Sequence, residues 1–152
     1  AQERPDMSTR IKTADEKLEQ AYVFADALQA ARQPLHKAMR LGDIIDALSN
    51  VKPATRVEFD FGGLEPTGVD SYRGYYSDLA IGYAESGIDA GKLLADLRDA
   101  DGGVFEGYKG GEYRMDRSTP VWVANWGRSH GVAVVSIEDQ DWRVLIRTAM
   151  IE

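Results

Sequence analysis

The sequence predicts an α+β fold: N-terminal helices, then a mostly antiparallel, twisted sheet with one helix packed on it. Three observations carry this. Apolar residues recur at helical spacing through the first third of the chain and mainly at period two afterwards. The strand-like runs near the C-terminus are separated by hairpin-length gaps, whereas βαβ units would put a helix in each gap. A further helical stripe within residues 88–100 interrupts the strands and supplies the packed helix.

Taken in order, residues 8–33 read as one long helix. Ser8 or Thr9 can cap it, and Ile11, Ala14, Leu18, Ala21, Ala25 and Leu28 recur at steps of three and four. That stripe suits packing on the rest of the domain or self-association between helices. Pro34 stops the helix, because the residue before a proline is pushed out of the helical region. LGDIIDALSN (41–50) forms a second helix with Ile44, Ile45 and Leu48 inward. In TRVEFDF (55–61), Val57, Phe59 and Phe61 alternate with Arg56, Glu58 and Asp60, which marks a half-buried strand. GGLEPTGVD (62–70) reads as a loop, since glycine and proline punctuate it.

SDLAIGYA (77–84) is the next strand, with Leu79, Ile81 and Tyr83 on one face, and IDAGKLLADLRDA (88–100) is a helix with Leu93, Leu94 and Leu97 inward. Residues 104–119 combine a short strand with a glycine-rich turn. PVWVANW (120–126), GVAVVSI (131–137) and WRVLIRTAMI (142–151) complete the sheet, joined by loops at Gly127–Gly131 and Glu138–Asp141. In the last run Trp142, Val144, Ile146 and Met150 share one face.

Composition removes several functions. The chain has 152 residues, 43% of them hydrophobic, which suits one domain with its own core. It contains no cysteine, so disulfides, thiolate chemistry and cysteine-ligated zinc are excluded. His36 and His130 are the only histidines, and neither lies in a metal or triad motif. A net charge of −7 argues against nonspecific nucleic-acid binding, which needs a basic footprint. No apolar run is long enough for a membrane span, and AQERPDMSTR lacks the apolar segment of a secretory signal. A cytoplasmic setting is what the absence of cysteine suggests.

Three short segments concentrate unusual chemistry: SYRGYYSDL (71–79), GYKGGEYRMD (107–116) and TPVWVANWGR (119–128). Six of the seven tyrosines lie between residues 72 and 113. Tyrosine and tryptophan offer large rigid contact area with a polar tip, and arginine adds forked hydrogen bonding and cation–π contact. These types dominate interface hot spots. The candidate binding residues are Tyr72, Arg73, Tyr75, Tyr76, Asp78, Tyr108, Lys109, Glu112, Tyr113, Arg114, Asp116, Trp122, Asn125 and Trp126. Against this stands the plain reading of edge-strand core aromatics and ion-paired carboxylates. The turn at Gly107–Gly111 could present N–H groups to an anion beside Lys109, but it lacks the Gly-Lys-Ser/Thr ending of a P-loop. Ser71, Ser77 and Thr119 have no neighbouring base, so no catalytic residue, metal ligand or cofactor is assigned.

The segments SYRGYYSDLAIGY, GKLLADLRDADGGVFEGYKGGEYRMD and TPVWVANWG resemble small, largely uncharacterised proteins encoded by bacteriophages and prophages. The resemblance covers residues 41–152 as a single α+β domain and leaves 1–40 as an N-terminal helical extension. It implies an accessory protein working in the bacterial cytoplasm during infection, of the kind that inhibits host defence, anti-CRISPR proteins included. Two functions follow as expectations. The first is a non-catalytic inhibitor that binds a host defence protein through its Tyr/Arg/Trp surface, with 8–33 available for homo-oligomerisation. The alternative is a site for a nucleotide or signalling nucleotide. Arg73, Lys109 and Arg114 would hold its phosphates and an aromatic ring would stack on its base, as a sponge or as an enzyme.

Overall fold

The computed structural model describes residues 14–21, 37–73, 75–107, 110–124 and 131–151. Among them the order is α1 (14–21), α2 (Leu41–Ser49), β1 (Arg56–Phe59), β2 (Glu65–Tyr72), β3 (Tyr75–Ala84), α3 (Ala90–Ala100), β4 (Val104–Glu106), β5 (Glu112–Arg114), β6 (Val121–Val123), β7 (Gly131–Asp139) and β8 (Arg143–Ile151). Six strands make one sheet in the order β1-β8-β7-β6-β3-β2, and β4 pairs with β5 in a separate hairpin. The class is α+β, and the large sheet is mixed. β1–β8 and β3–β6 are parallel; β2–β3, β6–β7 and β7–β8 are antiparallel. The parallel pairs join strands far apart in sequence, with α3 and the β4–β5 hairpin carrying the crossover from β3 to β6. Hairpin-length gaps reveal only the local, antiparallel pairs.

The edges of this sheet, β1 and β2, meet where the chain turns between them. Phe59 N–H donates to Leu64 O at 2.8 Å, and Arg56 Nε lies 2.9 Å from Glu65 Oε2. β6 and β7 pair only at Trp122 and Ala133, and Met39 fills the space where they part. Its N–H donates to Val134 O at 2.6 Å, and its carbonyl accepts from Val121 N–H at 3.0 Å. One face of the sheet carries Val57, Phe59, Leu79, Ile81, Val121, Val123, Val144 and Ile146 into the core, which Leu41, Ile44 and Leu48 of α2 and Leu93 and Leu97 of α3 complete. Leu18 of α1 joins the same core at 1% exposure, and Asp15 accepts a 2.9 Å hydrogen bond from the Tyr83 hydroxyl. The remainder of the expected 8–33 helix lies outside the described residues.

Two expectations need correction. The stretch read as a loop over 62–70 is largely β2. An edge strand tolerates Pro66, which has no N–H to offer a neighbour, and Gly68 at φ 149° absorbs one extra residue between the Pro66–Tyr83 and Val69–Ile81 pairs. Trp142 does not share the buried face of Val144, Ile146 and Met150. It lies in the β7–β8 turn at 66% exposure, with the Arg143 guanidinium 4.5 Å from its ring. No helix among the described residues is long and apolar enough to cross a membrane.

Candidate functional site

The tyrosine-rich segment is the tip of the β2–β3 hairpin. Tyr72 pairs with Tyr75, and Arg73 lies in the connection between them. The previous pair is Ser71–Leu79, so Tyr76, Ser77 and Asp78 bulge from β3 opposite nothing on β2. The Ser71 hydroxyl donates to Tyr76 O at 2.6 Å across this bulge. Consecutive side chains therefore leave the strand in different directions, and two separate aromatic groups form.

In the first group, Tyr72 and Trp122 stack with centroids 5.1 Å apart and planes 6° from parallel. Tyr75 stacks on Tyr72 at 6.1 Å and lies 6.4 Å from Trp122. Trp122 Nε1–H donates to Asp78 Oδ2 at 2.8 Å, which fixes the indole and occupies its one donor. Tyr72 is buried at 2%, so its ring supports the stack from within. Tyr75 is 64% exposed and presents the stack to solvent.

In the second group, Tyr76 and Tyr113 stack at 6.1 Å over Gly107, where a Cβ would fall 2.9 Å from the Tyr113 ring and 3.2 Å from the Tyr76 ring. Glu106 and Glu112 face each other across the β4–β5 ladder. Within the glycine turn, Gly107 N–H donates to Gly111 O and Gly110 N–H to Gly107 O, both at 3.0 Å. Those two donors serve the turn itself, which weakens the anion reading of this loop. Tyr108, Lys109, Asn125 and Trp126 lie outside the described residues.

Two further candidates hold loops in place. Arg114 Nη1 donates to Gly102 O at 2.8 Å. Asp116 Oδ1 accepts from Ser118 N–H at 2.8 Å and from its hydroxyl at 2.6 Å, and these bonds hold the Asp116 carboxyl below the usual carboxylate range. The turn so formed aims its carbonyls at α2. Thr119 O accepts from Leu41 N–H and Arg117 O from Gly42 N–H, at 2.8 and 2.9 Å. The backbone thus satisfies helix donors that Arg40, at the capping position, cannot reach with an acceptor. Among the described residues, no three His, Asp or Glu side chains gather as metal ligands; Asp78 holds Trp122, and Asp116 holds Ser118.

A cleft of about 460 Å³ runs along β2 and β3 beside the hairpin tip. Gly68, Ala80, Gly82 and Ala124 line it with little side chain, while Asp70, Arg73, Tyr76 and Glu106 bring charge and an aromatic ring. Arg73 and Tyr76 of the expected site are thus brought together here. Asp70, Glu106 and the small residues went unnoticed in the sequence. For the small residues of β3 the signal was present in the alternation of Ala80 and Gly82 with Leu79, Ile81 and Tyr83, one face small and the other large. No protein-family model, curated protein or solved structure matches this chain.

Proposed function

We propose that this is a phage-encoded accessory protein of the bacterial cytoplasm that binds and blocks a host defence protein without catalysis. The observation that carries the binding reading is Tyr75, a 64% exposed ring on a stack whose tryptophan is locked by Asp78. A pre-ordered aromatic loses little side-chain entropy when a partner covers it, which is what an interface anchor requires. The phage setting and the defence target rest on the sequence resemblance of residues 41–152.

A nucleotide site is the second reading, and the meeting of Arg73 and Tyr76 in one cleft favours it. Against it, Asp70 and Glu106 line the same cleft and repel phosphate. The test is the plating efficiency of phage on host strains that each carry a single defence system. Expression of the wild-type chain raises plating on at least one strain, and Tyr75→Ala loses most of that effect while keeping its far-UV spectrum and melting temperature. No rise on any strain, or a variant as protective as wild type, overturns the reading. A melting temperature raised by millimolar nucleotide would move the choice to the second reading.

A further inference from the structure

We infer that the cleft along β2 and β3 receives an arginine side chain of the bound protein, an inference that rests on the protein-binding reading above. The cavity lies within the 300–1,000 Å³ typical of ligand sites, and its lining is mostly apolar. Gly68, Ala80, Gly82 and Ala124 leave a low surface along which an aliphatic stem can lie. Gly82 is tied to this shape, since a Cβ there would come 2.5 Å from Thr67 Oγ1.

Charge selects the head group. Asp70 and Glu106 against Arg73 leave the lining one unit negative, within a chain of net charge −7. Glu112 sits directly opposite Glu106 across the hairpin, a like-charge pairing that a partner's cation would relieve. Asp70 Oδ1 already accepts from Ser71 N–H at 2.7 Å, which orients the carboxylate. The Tyr76 ring, held against Tyr113, adds a π face. A planar guanidinium combines in-plane bonds to a carboxylate with stacking on an aromatic ring, and the lining offers both kinds of group. An ammonium lacks that flat face, and a phosphate meets the wrong charge.

The test titrates the ¹⁵N-labelled full chain with N-acetyl-arginine-amide, its neutral isostere N-acetyl-citrulline-amide, and AMP. The arginine probe is expected to shift the amides of Gly68, Ser71 and Gly82 saturably at millimolar concentration, with citrulline far weaker. Asp70→Asn and Glu106→Gln, each with an unchanged spectrum elsewhere, should weaken the arginine probe by about tenfold. Equal shifts from arginine and citrulline, no shift at these amides, or tighter binding of AMP would each overturn the inference. The two readings fail separately. Plating protection without an arginine shift sinks the cleft assignment alone. An arginine shift without any plating effect upholds the guanidinium preference and sinks the defence target.

Discussion

Gly131 has no room for a side chain, because a Cβ there would fall 2.8 Å from Trp122 Cζ3 and 3.1 Å from Tyr72 Oη. Neither ring can retreat easily: Tyr72 is buried, and Trp122 is held by Asp78. Gly131→Ala should therefore destabilise the fold by about 1–3 kcal/mol, as overpacking does. It should also change the near-UV circular dichroism of the Tyr72–Trp122 pair. Urea denaturation read at both far- and near-UV wavelengths checks this, and a variant with wild-type spectrum and midpoint would refute the packing described. At this scale the sequence was partly legible. The concentration of Tyr72, Tyr75, Tyr76 and Trp122 stands out in composition alone. Their division into two stacks depends on three bulged residues of β3 and on strand partners more than forty positions away, which residue counts do not encode. Asp116 is ambiguous in sequence for a related reason, since a carboxylate that organises a turn and one that binds a ligand look alike there.

Helix α3 shows how an element's end is shared between side chain and backbone. Asp89 Oδ1 accepts from Lys92 N–H at 2.9 Å, while the N–H groups of Ala90 and Gly91 donate to Thr55 O and Pro53 O. Only one early donor depends on the Asp89 side chain, so Asp89→Ala should cost about 1 kcal/mol, and Asp89→Asn far less. Chemical denaturation of both variants tests the assignment; equal losses would mean that the carboxylate acts by charge, through the helix dipole, and not as a cap. α3 was legible because its Leu93–Leu97 stripe is local, while its Asp89 cap was seen only in the structure. β2 was not, because the pairing that makes EPTGVDSY a strand comes from β3, while its own residues favour turns. α1 falls between these cases. Within its described residues, Leu18 of the apolar stripe is buried in this domain, with Ala14 and Ala21 packed against the core.

Across the whole molecule, ion pairs run over β2, β1, β8 and β7. Arg56 bridges Glu58 and Glu65 at 3.0 and 2.9 Å, which ties the two edges of the sheet together. Arg143 reaches Glu58 at 2.6 Å, and Arg147 is paired with Glu138. Most of these groups are partly exposed, so each pair adds little at ordinary salt. Their effect shows in how stability depends on pH. The Arg147 hydrogen bond holds the Glu138 carboxyl below its ordinary range, and the Ser118 bonds do the same to Asp116. A carboxyl whose folded pKa is depressed stabilises the fold above its unfolded pKa, and that contribution disappears as pH falls through the folded value. An opposing effect exists: at net charge −7, the first protons taken up relieve self-repulsion. Salt at about 0.15 M shortens the Debye length to about 8 Å and mutes that long-range term, while contact pairs persist. The melting temperature should then stay level from neutral pH to about 5 and drop once carboxylates titrate, below about pH 4. Arg147→Gln should make the drop shallower, since Glu138 loses the partner that depresses it. Calorimetric melts of both proteins across pH 3–7 decide the matter: a wild-type melting temperature that rises below pH 4, or an acid slope that Arg147→Gln leaves unchanged, would defeat this account.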